Sequence, residues 1–149
     1  MGENILFTFF IIKFVELKNK TEDKKPWVFI VEDDVFINKA YKAKFTHEGI
    51  EVKIAEDGEQ ALEMFKDADL PSLILLDLML PKKDGFEVLK EIKQDSRFKN
   101  IPVLILSNLA QEIDAKRGIE LGAKEYLVKA NIKIEDLVNK IKQYLNLRT

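Results

Sequence analysis

Five short apolar runs alternate with amphipathic stretches along most of this chain. The runs lie at 27–32, 51–55, 72–77, 102–107 and 124–128. Each run has the length of one β-strand, and runs that are apolar almost throughout are typical of parallel strands buried on both faces. Strands that alternate with helices predict an α/β fold, in which a five-stranded parallel sheet carries helices on both faces.

The stretches between the runs carry apolar residues at helical spacing and have recognisable ends. Gly49 is expected to end the first of the five helices between and after the runs. Asp84 and Glu87 predict a capping box at the start of the third helix. The fifth helix has the clearest amphipathic stripe: Ile134, Leu137, Val138, Ile141 and Leu145. Four phenylalanines are predicted to pack in the core: Phe36, Phe45, Phe65 and Phe86.

The first 25 residues do not follow this pattern. An apolar run from Ile5 to Leu17 is interrupted by Lys13 and is followed by a charged linker. The run is shorter than the roughly 20 residues that cross a bilayer, and it lacks the features of a signal peptide. Three interpretations stay open: a strand or helix that docks on the domain, a tether to a membrane surface, or extraneous residues from a start codon assigned too far upstream. The globular domain is expected at 26–149.

The composition narrows the range of functions. A chain of 149 residues can form one domain with its own core. Its formal net charge of −2 gives no strong attraction to nucleic acid or to anionic membranes. The chain has no cysteine, which excludes disulfides, thiolate metal sites and thiol nucleophiles.

Polar residues that carry chemistry lie at the ends of four of the apolar runs. Glu32 ends the first run and is followed by Asp33-Asp34, Asp77 ends the third, Ser107 ends the fourth, and Lys129 follows the fifth. Open α/β sheets place their chemistry at the carboxyl ends of the strands. Acids, a hydroxyl and an ammonium group that meet at this edge predict a site for a cation and a phosphoryl group.

Three acids at one sheet edge repel each other unless something compensates them. At about 5 Å and an effective dielectric constant of about 20, each pair of carboxylates repels by roughly 3 kcal/mol. Either one acid holds a proton, or a divalent cation binds. Carboxylate oxygens suit Mg²⁺, and an Asp carboxylate can accept a phosphoryl group as an acyl phosphate. Asp77 is the best candidate, because it ends the most central and most apolar run.

Several short motifs occur together, and their combination is specific although each is weak alone. They are Val31-Glu32-Asp33-Asp34, Leu76-Asp77-Leu78-Met79-Leu80-Pro81 with Asp84-Gly85-Phe86, Leu106-Ser107, Gly122-Ala123 and Tyr126-Leu127-Val128-Lys129. With these motifs the sequence, from about Pro26 to Leu147, resembles the receiver domain of bacterial two-component response regulators. The resemblance implies a flavodoxin-like sheet with strand order 2-1-3-4-5.

The resemblance also implies the residues that accept the phosphoryl group and hold the metal. Asp77 would be the phosphoacceptor. Mg²⁺ would be held by Asp77, by Asp33 directly, by Glu32 through water and by the backbone carbonyl of Met79. Asp34, the third acid of its run, is interpreted from its position as a helix cap.

Three further residues receive roles from the resemblance. Lys129 would pair with the phosphoryl group, and Ser107 would be the hydroxyl that turns toward it. Tyr126 would change rotamer as that hydroxyl moves. The output face would then comprise the fourth helix, the fifth strand and the fifth helix of the domain.

Two positions depart from the family pattern. Ala130 follows Lys129, where the family usually has a proline in a cis peptide bond. A cis bond without proline costs about 3 kcal/mol, so two alternatives stay open: a trans bond with a rearranged loop up to Ile132, which is favoured, or strain retained at the site. Asn108 replaces a small residue and is expected to narrow access to the site.

The resemblance implies a stand-alone cytoplasmic signalling switch rather than an enzyme with an external substrate. A histidine kinase or phosphotransfer protein would supply the phosphoryl group, and a downstream protein would be the target, with no nucleic acid and no membrane span. One alternative is a Mg²⁺-dependent phosphatase with an aspartyl nucleophile, but the haloacid-dehalogenase type needs a second Asp at the position of Met79. Another is a degenerate receiver that binds its partner constitutively.

Overall fold

The computed structural model describes residues 3–21, 25–67 and 69–148. Its strands are β1 (Trp27–Val31), β2 (Glu51–Ala55), β3 (Leu73–Leu76), β4 (Val103–Ser107) and β5 (Glu125–Val128). Its helices are α1 (Glu3–Thr21), α2 (Val35–His47), α3 (Gly58–Asp67), α4 (Gly85–Gln94), α5 (Glu112–Glu120) and α6 (Ile134–Tyr144), with a 3₁₀ turn at Lys129–Asn131. The five predicted strands are confirmed to within one residue at each end.

The strands form one parallel sheet in the order β2-β1-β3-β4-β5, which confirms the predicted fold class. Ile30 in β1 pairs with Ile54 of β2 on one side and with Leu75 of β3 on the other. After β1 the chain forms β2 on one side of this strand, and it then crosses to the other side, where β3, β4 and β5 lie. This reversal creates a crevice at the carboxyl ends of β1 and β3, where such sheets bind ligands.

The sheet separates two apolar cores because neighbouring side chains of a strand point to opposite faces. Phe29 of β1 packs in the core that also contains residues of α3 and α4. Ile30 packs in the opposite core, against residues of α2 and α6. The central strands β1, β3 and β4 are buried along their whole length, as the apolar runs predicted.

Three of the four phenylalanines assigned to the core are buried, and the assignment of Phe36 is wrong. Phe45, Phe65 and Phe86 are buried, whereas Phe36 is 82% exposed. Phe36 lies in the first turn of α2, whose buried residues are Asn38 and Phe45. Each step along a helix rotates a side chain by about 100°, so Phe36, two positions before Asn38, points away from the buried face.

Local signals at two helix ends are confirmed. Gly49 has a φ of 75° and follows the end of α2, a backbone conformation that suits glycine. Asp84 and Glu87 form the predicted capping box at the start of α4. Both features depend on residues close in sequence, which explains why the pattern revealed them.

The N-terminal apolar segment forms helix α1, while residues 1–2 and 22–24 of this segment lie outside the described part. The large apolar side chains between Ile5 and Val15 are exposed, including Phe7, Phe9 and Phe10. This exposure argues against the interpretation that the segment docks on the domain. Among the described helices, none combines the length and apolarity that a membrane crossing requires.

Candidate functional site

A cavity of about 280 Å³ opens at the carboxyl edge of the sheet, beside the ends of β1 and β3. The backbone N–H of Asp77 donates to the carbonyl of Val31 at 2.9 Å, which holds Asp77 beside the end of β1. The cavity is lined by Glu32, Asp33, Asp34, Ile37, Asp77, Met79, Asn108 and Lys129. The structure therefore gathers most of the predicted site residues in one place.

Three carboxylates form the acidic part of this cavity. Glu32 and Asp77 are buried, Asp33 is exposed, and one oxygen of each lies within 4.8 Å of the others. Burial raises the pKa of Glu32, and the hydrogen bond from Lys129 opposes that rise. The nearby Asp77 also raises the pKa of Glu32, as expected for two acids that repel each other.

Lys129 is the cation that the structure places among these acids. Its Nζ donates to Asp77 Oδ2 at 2.8 Å and also to Glu32 Oε2. Burial lowers the pKa of Lys129, but the hydrogen bonds to Asp77 and Glu32 outweigh it, so the pKa is raised. Lys129 therefore stays charged at neutral pH and neutralises part of the acidic cluster.

Lys129 reaches the cavity without a proline after it. The 3₁₀ turn Lys129–Asn131 follows β5 directly, and the described residues contain no cis peptide bond. The expected trans bond before Ala130 is confirmed. The departure from the family pattern thus leaves the lysine beside Asp77.

Ser107 and Tyr126 lie on neighbouring strands and share a partner in the loop after β4. The Leu109 N–H donates to Ser107 Oγ at 3.3 Å, and the Tyr126 hydroxyl donates to the Leu109 carbonyl at 2.8 Å. Ser107 is fully buried and does not line the cavity, whereas the adjacent Asn108 does. Leu109 is a residue of this arrangement that the sequence pattern did not reveal.

The loop that carries the acidic pair is held by Asp34 and Asn38. Asp34 Oδ1 accepts from the backbone N–H groups of Phe36 and Ile37 at 2.8 and 3.0 Å, so the prediction that Asp34 caps a helix is confirmed. The Asn38 side chain is buried and donates from Nδ2 to the Glu32 carbonyl at 2.7 Å. Sequence reasoning missed Asn38; the signal was a polar residue beside Ile37, on the side of the helix that faces the sheet.

Two close contacts shape the segment after β3. The Met79 N–H donates to Asp77 Oδ1 at 3.2 Å. Gly85 packs so tightly that a Cβ at this position would lie 2.3 Å from the Asp77 backbone oxygen. The glycine therefore allows the start of α4 to approach the strand end that carries Asp77.

The donor set fits a divalent cation. The cluster has three carboxylates, and one lysine pairs with two of them, Glu32 and Asp77, so an excess of negative charge remains. Carboxylate oxygens are ligands that Mg²⁺ prefers, and exposure of Asp33 leaves room for the water molecules that this ion usually retains. Glu32, Asp33 and Asp77 can therefore hold a metal.

The sheet topology and the acid-lined crevice define a flavodoxin-like α/β protein with an acidic cluster that can hold a cation. Residues 28–142 match the family model of the response regulator receiver domain, and the chain belongs to this family. Receiver domains act in two-component signalling, as the resemblance implied.

Relatives of known sequence are response regulators and transcriptional regulators. The transcriptional regulatory protein CpxR of Klebsiella pneumoniae is 40% identical over 102 residues, which cover 68% of this chain and 42% of that protein. Response regulator RR06 of Streptococcus pneumoniae is 39% identical over 102 residues, which cover 68% of this chain and 45% of that protein. The chain thus spans less than half the length of these curated relatives.

Solved structures of receiver domains share the fold. The receiver domain of the Francisella response regulator 1452 has a TM-score of 0.74 and 30% identity, with 82% of this chain and 98% of that chain covered. The CheY-like receiver domain protein of Methanospirillum hungatei JF-1 has a TM-score of 0.75 and 26% identity, with 83% and 95% covered.

Proposed function

We propose that this protein is a phosphorylation-controlled signalling switch and that Asp77 accepts the phosphoryl group. The observation that carries the proposal is the contact between Lys129 and Asp77 inside an open, acid-lined cavity. A carboxylate beside a fixed ammonium group can act as a nucleophile while the ammonium group binds the oxygens of the incoming phosphoryl group. A histidine kinase or a phosphotransfer protein is the proposed donor.

The transfer forms one bond and breaks one bond. An Asp77 carboxylate oxygen attacks phosphorus, and the bond from phosphorus to the nitrogen of the donor histidine breaks as the imidazole leaves. Lys129 releases its contact with the acid and pairs with the phosphoryl oxygens. Mg²⁺ held by Glu32, Asp33 and Asp77 would neutralise charge on these oxygens.

The phosphorylated state differs from the unmodified one mainly in charge. A phosphoryl group adds close to two negative charges at neutral pH. In our proposal Ser107 leaves the Leu109 N–H to donate to a phosphoryl oxygen, and Tyr126 then adopts a new rotamer. A downstream protein that prefers this arrangement would bind at the face formed by α5, β5 and α6 and shift the population toward it.

We propose that the only group this protein helps to phosphorylate is its own Asp77. It does not turn over an external substrate. An aspartyl phosphatase of the haloacid-dehalogenase type needs a second acid two residues after the nucleophile, and that position is Met79, which is exposed and apolar. CpxR, one of the relatives named above, is a longer transcriptional regulatory protein. The expected absence of a nucleic-acid partner for this chain therefore stays a prediction.

Acetyl phosphate with MgCl₂ tests the proposal without a partner protein. We expect intact-mass measurement to show one added phosphoryl group per chain in the wild type and none in Asp77→Asn. Asp136→Asn, at an exposed position of α6, is the matched control and should behave like the wild type. A wild-type protein that gains no mass, or an Asp77→Asn variant that gains it equally, contradicts the proposal. Steady release of phosphate over many turnovers would favour the phosphatase instead.

A further inference from the structure

Asn38 is a buried polar residue on α2 that the proposed transfer does not use. It is 6% exposed, and its Nδ2 donates to the Glu32 carbonyl at 2.7 Å. Its Oδ1 is buried and has no hydrogen-bond partner among the described residues. A buried acceptor without a partner is unfavourable. The favourable contribution of this side chain therefore comes from the bond that its Nδ2 donates to Glu32.

Asn38 bonds both ends of the loop at residues 32–34, which we call the acidic loop. Its side chain bonds one end, and its backbone bonds the other. The side chain bonds the carbonyl of Glu32, while the backbone N–H bonds the carbonyl of Asp34 at 2.9 Å. Asp33 lies between these two anchored residues. One residue of α2 thus bonds the carbonyls on both sides of the exposed acid.

Glu32 is anchored at its remaining polar groups as well, and its Oε2 accepts from Lys129. Its N–H donates to the Ala55 carbonyl at 3.0 Å, and its Oε1 accepts from the Asp34 N–H at 3.1 Å. Among these bonds, the bond from Asn38 is the one that joins Glu32 to the side chain of a helix residue. Without it, the loop would keep its attachment to the sheet and lose a link to α2.

We infer that Asn38 is a positioning residue that orients Asp33 and thereby sets the affinity of the acidic cluster for a divalent cation. The inference rests on the cation site of the proposed function. Groups that orient metal ligands typically change metal affinity by about 10- to 100-fold when they are lost. Asn38 acts through the backbone of the loop and does not itself touch the cation.

Two variants remove the bond in different ways. Asn38→Leu keeps the branched shape and the number of side-chain heavy atoms but is apolar, so it also removes the unpartnered acceptor. Asn38→Ser is smaller, and its hydroxyl is expected to bond the backbone of its own helix. Phe45→Leu is the matched control, because Phe45 is buried in the same helix and lies away from the loop. The control loses stability but keeps the bond between Asn38 and Glu32.

Calorimetric titration with MgCl₂ gives the first measurement. We expect the dissociation constant to rise about tenfold in both Asn38 variants and to stay within twofold of the wild type in Phe45→Leu. Equal affinities in wild type and Asn38 variants would overturn the inference. So would a weakening in Phe45→Leu as large as that in the Asn38 variants, because affinity would then follow stability alone.

A measurement without metal separates this inference from the proposed function. NMR relaxation of the Asp33 amide in metal-free protein should report an order parameter of about 0.85 in the wild type and a clearly lower value in both Asn38 variants. If the wild type binds no Mg²⁺ while the order parameter still falls, the cation site fails and the positioning role of Asn38 stands. An unchanged order parameter in both variants would refute the positioning role itself.

Discussion

The Tyr126 hydroxyl donates to the carbonyl of Leu109, 17 residues earlier in the chain, at 2.8 Å. The N–H of the same Leu109 donates to the buried Ser107. The backbone of Leu109 is therefore bonded to both Ser107 and Tyr126, the two residues that are proposed to move on phosphorylation. Movement of either hydroxyl must change a bond of the loop that follows β4.

Tyr126→Phe removes one of these bonds and should loosen the loop. We expect a loss of about 1 kcal/mol in the free energy of unfolding, the usual net value of one hydrogen bond. Hydrogen exchange of the Leu109 amide should become faster. Tyr41→Phe serves as the control, since Tyr41 lies with the opposite core and its loss should leave that amide unchanged. Unchanged exchange in Tyr126→Phe would contradict the prediction.

Lys129→Met should destabilise the metal-free protein. Glu32 and Asp77 would lose their common cation while buried, and breaking a buried ion pair in this way costs about 3 kcal/mol. MgCl₂ should restore more stability to this variant than to the wild type, because the lysine no longer competes for the same oxygens. Urea unfolding followed by circular dichroism, with and without MgCl₂, measures both effects.

The control for this prediction is Lys140→Met. Lys140 pairs with Glu125 at 2.8 Å where both side chains are about one-third exposed, and such a pair contributes only about 0–1 kcal/mol. MgCl₂ should not rescue this variant. Equal losses in the free energy of unfolding for Lys129→Met and Lys140→Met would contradict the prediction, because the buried ion pairs of Lys129 would then contribute no more than an exposed pair.

Asn108→Ala should speed phosphorylation by acetyl phosphate. Asn108 lines the cavity beside Asp77 and Lys129, so a methyl group in its place widens the approach to the nucleophile. We expect a severalfold higher initial rate by intact-mass time course. Asn100→Ala, an exposed position in the loop before β4, should leave the rate unchanged. A slower rate in Asn108→Ala would mean that the amide assists the transfer.

Gly85→Ala should disturb the site through the backbone. The added Cβ would meet the Asp77 oxygen at 2.3 Å and the Leu78 Cα at 2.5 Å, so the strand end must shift. Overpacking of this kind costs about 1–3 kcal/mol, and phosphorylation of Asp77 should also slow. In Gly49→Ala, by contrast, the Cβ meets no atom within 4 Å. That variant should lose stability through its positive φ alone and keep the phosphorylation rate.

Tyr144 should make stability fall at alkaline pH. Burial, followed by the hydrogen bond to Glu125, raises the pKa of Tyr144 to about 12, whereas a free tyrosine has a pKa of about 10. A phenol that binds its proton more tightly when folded stabilises the fold below pH 10, and this contribution is lost as the pH rises toward about 12. Urea unfolding across this range should show a shallower decline for Tyr144→Phe than for the wild type; identical declines would contradict the assignment.

The features that the sequence predicted depend on local pattern or on strand ends. Asp34 could be identified as a cap because its partners are two and three residues away. Asp77 and Lys129 could be placed together because parallel strands end at one edge. Asn38 and Leu109 could not be found in this way, because their importance comes from bonds between elements. Phe36 was misplaced because neighbouring apolar residues on a helix can face opposite surroundings.

The position of Trp27 decides what intrinsic fluorescence can reveal about this protein. Trp27 begins β1, with Lys53 over its ring at 4.4 Å and Phe29 edge-on at 6.1 Å, and Glu32 lies five positions further along the chain. At about 3.3 Å per residue, the indole lies roughly 17 Å along the strand from the acidic edge. The fluorescence emission of Trp27 should therefore stay unchanged when the acidic edge of the sheet is modified. A shift of the emission maximum on modification would show that strain is transmitted along the whole length of the buried strand β1.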